Sequence, residues 1–202
     1  VGLEQLQAFG VEWSTEPPNE QVRAEYDLLR QRVGDRAIED LLQLASTNDS
    51  DLLDQMAVLE AVLPSAAFFD KNLHDLAVIR MARLSVEHGV CAASTQAFAH
   101  LSLALGPRFG DDRDGYRYGN LAVALAEREE LARLRHKVYC VVAHHVLPWT
   151  RPLQAALSMM RRAIELAQAA GDPIYAAFSA NHLISIALAA GVSLELVQSE
   201  AE

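Results

Sequence analysis

The 202-residue chain predicts an all-α fold, an array of antiparallel helix hairpins. Three observations predict it. Apolar residues recur with a 3.6-residue period almost everywhere. No run alternates as a half-buried strand would. Clusters of Gly, Pro, Asn and Asp cut the chain into about ten segments, each with its own start and stop signals.

Leu3, Leu6 and Phe9 mark a short opening helix that stops at Gly10. Residues 11–19 hold Pro17, Pro18 and Asn19, which is loop chemistry ending in a helix cap. Val22, Tyr26, Leu29 and Val33 form one face of the next helix, closed by Gly34. A short helix follows around Ile38, Leu41 and Leu42, and the turn Ser46–Ser50 caps a helix beginning near Asp51. Leu52, Met56, Leu59 and Leu63 keep helical spacing until Pro64, where a kink or an end is expected. Asn72 is placed to cap the helix that runs to His88, with Leu73, Leu76, Ile79, Met81 and Leu84 inward. Further helices are expected over 92–105, stopped by Gly106-Pro107, and over 113–128, 131–146 and 152–170. Gly171-Asp172-Pro173 separates the next helix, which ends at Gly191, and Ser193 caps a last one.

Composition narrows the function. Apolar residues make up 51% of the chain and charged residues 22%, too much potential core for a disordered linker. The net charge of −10 repels phosphate backbones, and only 6% of residues are aromatic, so nucleic acid is not an expected partner. Charges interrupt the apolar stretches, so no membrane span is expected. Cys91 and Cys140 stand far apart in apolar helical contexts and read as buried thiols of a reducing, cytoplasmic protein. No signal peptide is visible, and the start at Val1 rather than Met suggests a segment of a longer protein.

The second half carries a recurring unit. Gly115 and Ala122 stand seven apart, as do Ala156 and Ala163, which places each pair on one helix face where a neighbour can pack closely. The preceding helices share Ala99-His100-Leu101, Ala143-His144-His145 and Asn181-His182-Leu183. A first helix, a Gly-Asp turn, then Gly/Ala-x6-Ala on a second helix resembles the tetratricopeptide repeat, although the spacing exceeds the usual ~34 residues. More broadly, the chain resembles the helical region that follows the ATPase module of large bacterial signalling ATPases. The residues that carry this likeness are Arg36-Ala37-Ile38-Glu39-Asp40-Leu41-Leu42, Leu63-Pro64, Ser85-Val86-Glu87-His88-Gly89, Gly115-Tyr116-Arg117-Tyr118-Gly119 and Gly171-Asp172-Pro173-Ile174-Tyr175-Ala176. The resemblance implies a tetratricopeptide-like superhelix, with less regular helices over 1–90 and repeats over 91–202. It also implies a parent chain with serine/threonine-kinase-like, AAA-type ATPase, GAF and histidine-kinase modules. It brings no catalytic residue into this segment.

The residues themselves give no reaction centre. There is no GxxxxGK[ST] or GxGxxG, and the two lysines, Lys71 and Lys137, follow no glycine run. HExxH and CxxC are absent, and adjacent His144 and His145 point about 100° apart on a helix, so no metal or cofactor is expected. His145 lacks the acidic neighbour and proline spacing of a histidine-kinase phosphoacceptor. Glu39-Asp40, Asp111-Asp112 and Glu129-Glu130 read as solvated surface pairs. Arg133, Arg135, His136 and Lys137 form a local basic patch, a solvated helix face or a dock for an acidic partner.

The expected function is therefore a non-catalytic interaction or regulatory module. Its partners would be a protein or peptide, adjacent domains of the same chain, or a second copy of itself. His100, Tyr116, Tyr118, His144, Trp149 and His182 are the candidate partner-binding residues, each having also a packing reading, which is favoured for the two tyrosines. A small-molecule sensor or an enzyme built between facing helices is the alternative, as is a plain spacer. A closed pocket with converging polar groups and perturbed titration, rather than an open groove, would mark the sensor or enzyme.

Overall fold

The computed structural model describes residues 2–201, and these are helical with no strand. The helices are α1 (Gly2–Gln7), α2 (Asn19–Val33), α3 (Ser50–Phe69), α4 (Lys71–His88), α5 (Ala92–Phe109), α6 (Asp112–Ala126), α7 (Arg135–His145), α8 (Leu147–Thr150), α9 (Leu153–Ala169), α10 (Pro173–Ala189) and α11 (Leu194–Ala201). Two 3₁₀ turns, Ile38–Gln43 and Glu129–Leu134, precede α3 and α7. Four aspartates cap helices by accepting first-turn N–H groups: Asp49 for α3, Asp70 for α4, Asp111 for α6 and Asp172 for α10.

Four boundaries differ from the sequence reading. Pro64 does not end α3, and Gly106-Pro107 lie inside α5. Both prolines are exposed, and their helices continue through them. Asn72 is not the α4 cap, because Asp70 two residues earlier takes that place. The expected 131–146 helix is divided between a 3₁₀ turn and α7. Helix α3 also departs from expectation in composition. With Asp54 and Glu60 as the only charges over 52–69, it is long and apolar enough to cross a membrane (mean hydropathy 1.4). In the fold it packs against α1 and α4.

Neighbours in sequence are neighbours in space: α3 with α4, α4 with α5, α5 with α6, α9 with α10 and α10 with α11. Helix α2 lies on α4, while α7 packs on α5, α9 and α10. One contiguous core runs from Leu6 to Val197, so the irregular first half and the more repetitive second half share it. Helix α4 has nearly every residue from Leu73 to Val86 buried, because α2, α3 and α5 cover it on different sides. Arg83 serves that burial: it bonds Glu25 on α2 at 2.7 Å and Glu87 one turn on at 2.7 Å. An extended strap after the first 3₁₀ turn meets the α4–α5 corner, where Val90 N–H donates to Ala45 and Thr47 N–H donates to Val90. Gly89 turns that corner at φ +100°, and a Cβ there would stand 2.7 Å from the Ala45 carbonyl oxygen.

The small-residue pairs are buried as their spacing predicts. Ala122, Ala156 and Ala163 are fully buried, and a Cβ on Gly115 would lie 2.9 Å from the Ser102 carbonyl oxygen. Backbone meets backbone there, so α5 and α6 would have to separate to admit a side chain. Gly115→Val is expected to destabilise the protein by about 1–3 kcal/mol, read as a lower denaturation midpoint with unchanged slope.

Candidate functional site

Helices α3, α4, α5, α7 and α10 line a half-open cavity of about 560 Å³. Its rim is apolar, with Pro64 and Phe68 from α3 and Ile174 and Phe178 from α10. Its largely apolar wall also carries polar side chains, His74 and Asp75 from α4, Gln96 and His100 from α5, His145 from α7 and His182 from α10. The volume falls in the range of small-molecule sites.

The wall is organised by a chain of bonds. Asp75, 1% exposed, receives Arg108 Nε at 2.6 Å, Lys71 Nζ at 3.0 Å and His74 Nδ1 at 3.0 Å. Burial opposes ionisation of this carboxyl, but the bonds from His74 and Lys71 outweigh it and hold the group down to about 2. An ionised Asp75 only accepts, so His74 Nδ1 donates to it, and in the neutral imidazole His74 Nε2 then keeps a lone pair. His74 Nε2 lies 3.0 Å from His100 Nδ1, which must then be the donor. The His100 tautomer follows: its Nε2 carries no proton, and it is buried without a partner. Gln96 stands one turn earlier on α5, 2% exposed, and its Oε1 is also buried without a partner. Two orphaned acceptors thus lie on one face of one helix.

Burial also sets the titration of the histidines. Desolvation, then the neighbouring His74 and His145, pushes His100 down to about 3. Desolvation, then His144 and His182, pushes His145 down to about 4. His144 and His182 shift the same way by desolvation.

The six residues singled out from sequence separate into four groups. His100 and His182 line the cavity. His144 stacks on His182 with ring centroids 3.8 Å apart, joining α7 to α10 behind the wall. Tyr118 is 5% exposed and stacks on Phe98, which makes it a packing residue. Tyr116 and Trp149 belong to a second hollow of about 490 Å³, which also has Leu103 and His145 in its wall. Tyr116 there accepts a bond from Arg151 at 2.8 Å, and Trp149 is 86% exposed. The sequence reading did not single out His74, Asp75 and Gln96. Their signal was available in outline: an adjacent His-Asp on a helix with apolar residues on both sides, and Gln and His at i and i+4 of the next.

The charged features that stood out in the sequence are paired within the chain. Arg133 and Lys137 both reach Glu60, at 2.7 and 3.7 Å, and His136 Nε2 lies 3.1 Å from Asp172. The basic patch is therefore largely met by the protein's own carboxylates. Glu39 is gripped by Arg117 at both oxygens, and that bond holds its carboxyl down to about 2. Cys91 and Cys140 are free and buried, and burial pushes the Cys140 thiol up. No group of three or more His, Cys, Asp or Glu among the described residues is arranged to hold a metal ion. Compared with known proteins, the chain matches no family model, no characterised protein and no solved structure.

Two outcomes follow from the wall. Asp75→Asn leaves Arg108 and Lys71 without their counter-charge and is expected to cost about 3 kcal/mol in denaturant unfolding at neutral pH. The second concerns pH. The unfolded chain takes up protons on its histidines near 6.5, whereas folded His100 and His145 resist until about 3 and 4. The unfolded state therefore binds more protons across that window, and stability falls as pH drops below 6.5. Each ring contributes about 1–2 kcal/mol of the loss at pH 5, so His145→Phe should flatten the stability profile between pH 6.5 and 4.

Proposed function

We propose that the chain is a non-catalytic helical module that receives a ligand in the cavity between α3, α4, α5, α7 and α10. The observation that carries this reading is the cavity itself: an apolar mouth over a wall to which four helices bring polar groups. A catalytic role is less well supported by the same groups. A proton carrier works best with a pKa near the operating pH, and His100 and His145 are held far below neutrality. In a signalling protein of the resembled kind, occupancy of the cavity would be passed to neighbouring domains through the helices that wall it.

A protein-contact role has its own support. Leu188 on α10 and Leu194 and Leu196 on α11 are exposed outside the cavity. Exposed apolar side chains are commonly covered by another protein surface when they form a patch. The two readings are compatible, since α10 has one side on the cavity and another outward.

The ligand reading is tested by nuclear magnetic resonance titration with toluene and cyclohexanol, alongside a variant whose cavity is filled, Ala67→Trp with Leu103→Trp. Saturable amide shifts centred on Leu63, His100, Val141 and Tyr175 are expected in the natural protein and not in the filled one. Absence of saturable shifts, or identical shifts in both proteins, would remove the cavity as a binding site.

A further inference from the structure

We infer that the cavity selects a small uncharged molecule with an apolar body and a hydrogen-bond donor, and that the donor is met by His100 Nε2 and Gln96 Oε1. This rests on the reading of the cavity as a ligand site and adds the chemistry of the ligand.

The donor follows from the two orphaned acceptors. Buried acceptors without a partner are costly and uncommon, and they point to a missing donor. His100 cannot resolve the deficit by changing tautomer, because Asp75 fixes His74 and His74 fixes His100. Burial opposes adding a proton to His100 as well. His100 Nε2 is thereby kept as an acceptor at neutral pH. Both atoms lie within the wall rather than on its open surface, so a ligand donor reaches them through the side-chain adjustment common on binding.

The absence of ligand charge follows from the pairing of every ion in the wall. From α4, Lys71 is bound to Asp75. From α7, Lys137 lies 3.7 Å from Glu60 and over the Tyr175 ring. Asp172, before α10, holds His136 and the Tyr175 N–H. Lys71 and Arg108 share one carboxylate, but both are already bonded to it, so a charged ligand would have to displace an existing pair to find its counter-charge. The apolar body follows from the mouth, where Phe68, Ile174 and Phe178 offer surface and no side-chain donor or acceptor.

Indole and benzofuran test the inference, since they share shape and differ in an N–H against an ether oxygen. Titrations followed by amide and imidazole resonances should give indole an affinity about tenfold higher or more. The His100 Nε2 resonance should move from that of a free lone pair as indole binds. The preference should disappear in His100→Phe and in Gln96→Leu, whose folding is checked by circular dichroism; the comparison in the natural protein stands alone if either variant fails to fold. Equal affinities would overturn donor selection and leave the cavity as a binding site. Tighter binding of indole-3-acetate or tryptamine than of indole would overturn the requirement for an uncharged ligand. Binding of toluene with none of indole would overturn the inference alone, whereas failure of every probe would remove the ligand reading and this inference with it.

Discussion

The carboxylate of Asp75 is the constraint on which the interior depends. It is almost wholly out of solvent, and it stays ionised because three donors from two helices converge on it. Removing a charge from water costs several kcal/mol unless its partners are well placed, so their positions are specified closely. Arg108 is the most consequential of them. From near the end of α5 it reaches Asp75 at 2.6 Å, Asn72 at 2.7 Å and Asn19 at 3.1 Å, and Asn72 in turn donates to the Pro17 carbonyl. The end of α5, the start of α4 and the segment leading into α2 are thus tied at one point.

The same charge reaches the cavity through two imidazoles. Each ring hands a fixed orientation to the next, and the last presents a lone pair where the fold supplies no donor. The site and the scaffold therefore share parts. A change that loosens the junction of Arg108 with Asp75 would disturb the histidine orientation, and a change at His74 would leave Asp75 less well satisfied. Networks of this type are worth more than the sum of their pairs when complete and are costly when broken.

Much of the fold was legible in the sequence. The helical period, the aspartate and glycine punctuation and the small-residue pairs are local signals, and the helices they specify are present. What misled was also local. Pro64 and Gly106-Pro107 read as terminators because the rule assumes an interior position, whereas each proline is exposed and its helix continues. Asn72 has the chemistry of a cap, but Asp70 was better placed and freed it to bind Arg108 and Pro17. The site was only partly legible, because it is made by separation in sequence and adjacency in space. His100 and His182 carried a repeat-like signature and do line the cavity. His74 lay in the irregular half, 26 positions before the ring it bonds, and nothing in the spacing joined the two. Lys137 and Arg133 read as a free basic patch since Glu60, their partner, lies on another helix.

His145 stands in the partition between the two hollows, one mouth opening beside Phe68 and Phe178 and the other beside Trp149. A shared wall gives neither compartment an independent volume. Any swing of that imidazole enlarges one chamber at the expense of the other, as a door between adjoining rooms does. An occupant on one side would in this way set the room left for Tyr116 and Trp149 on the other.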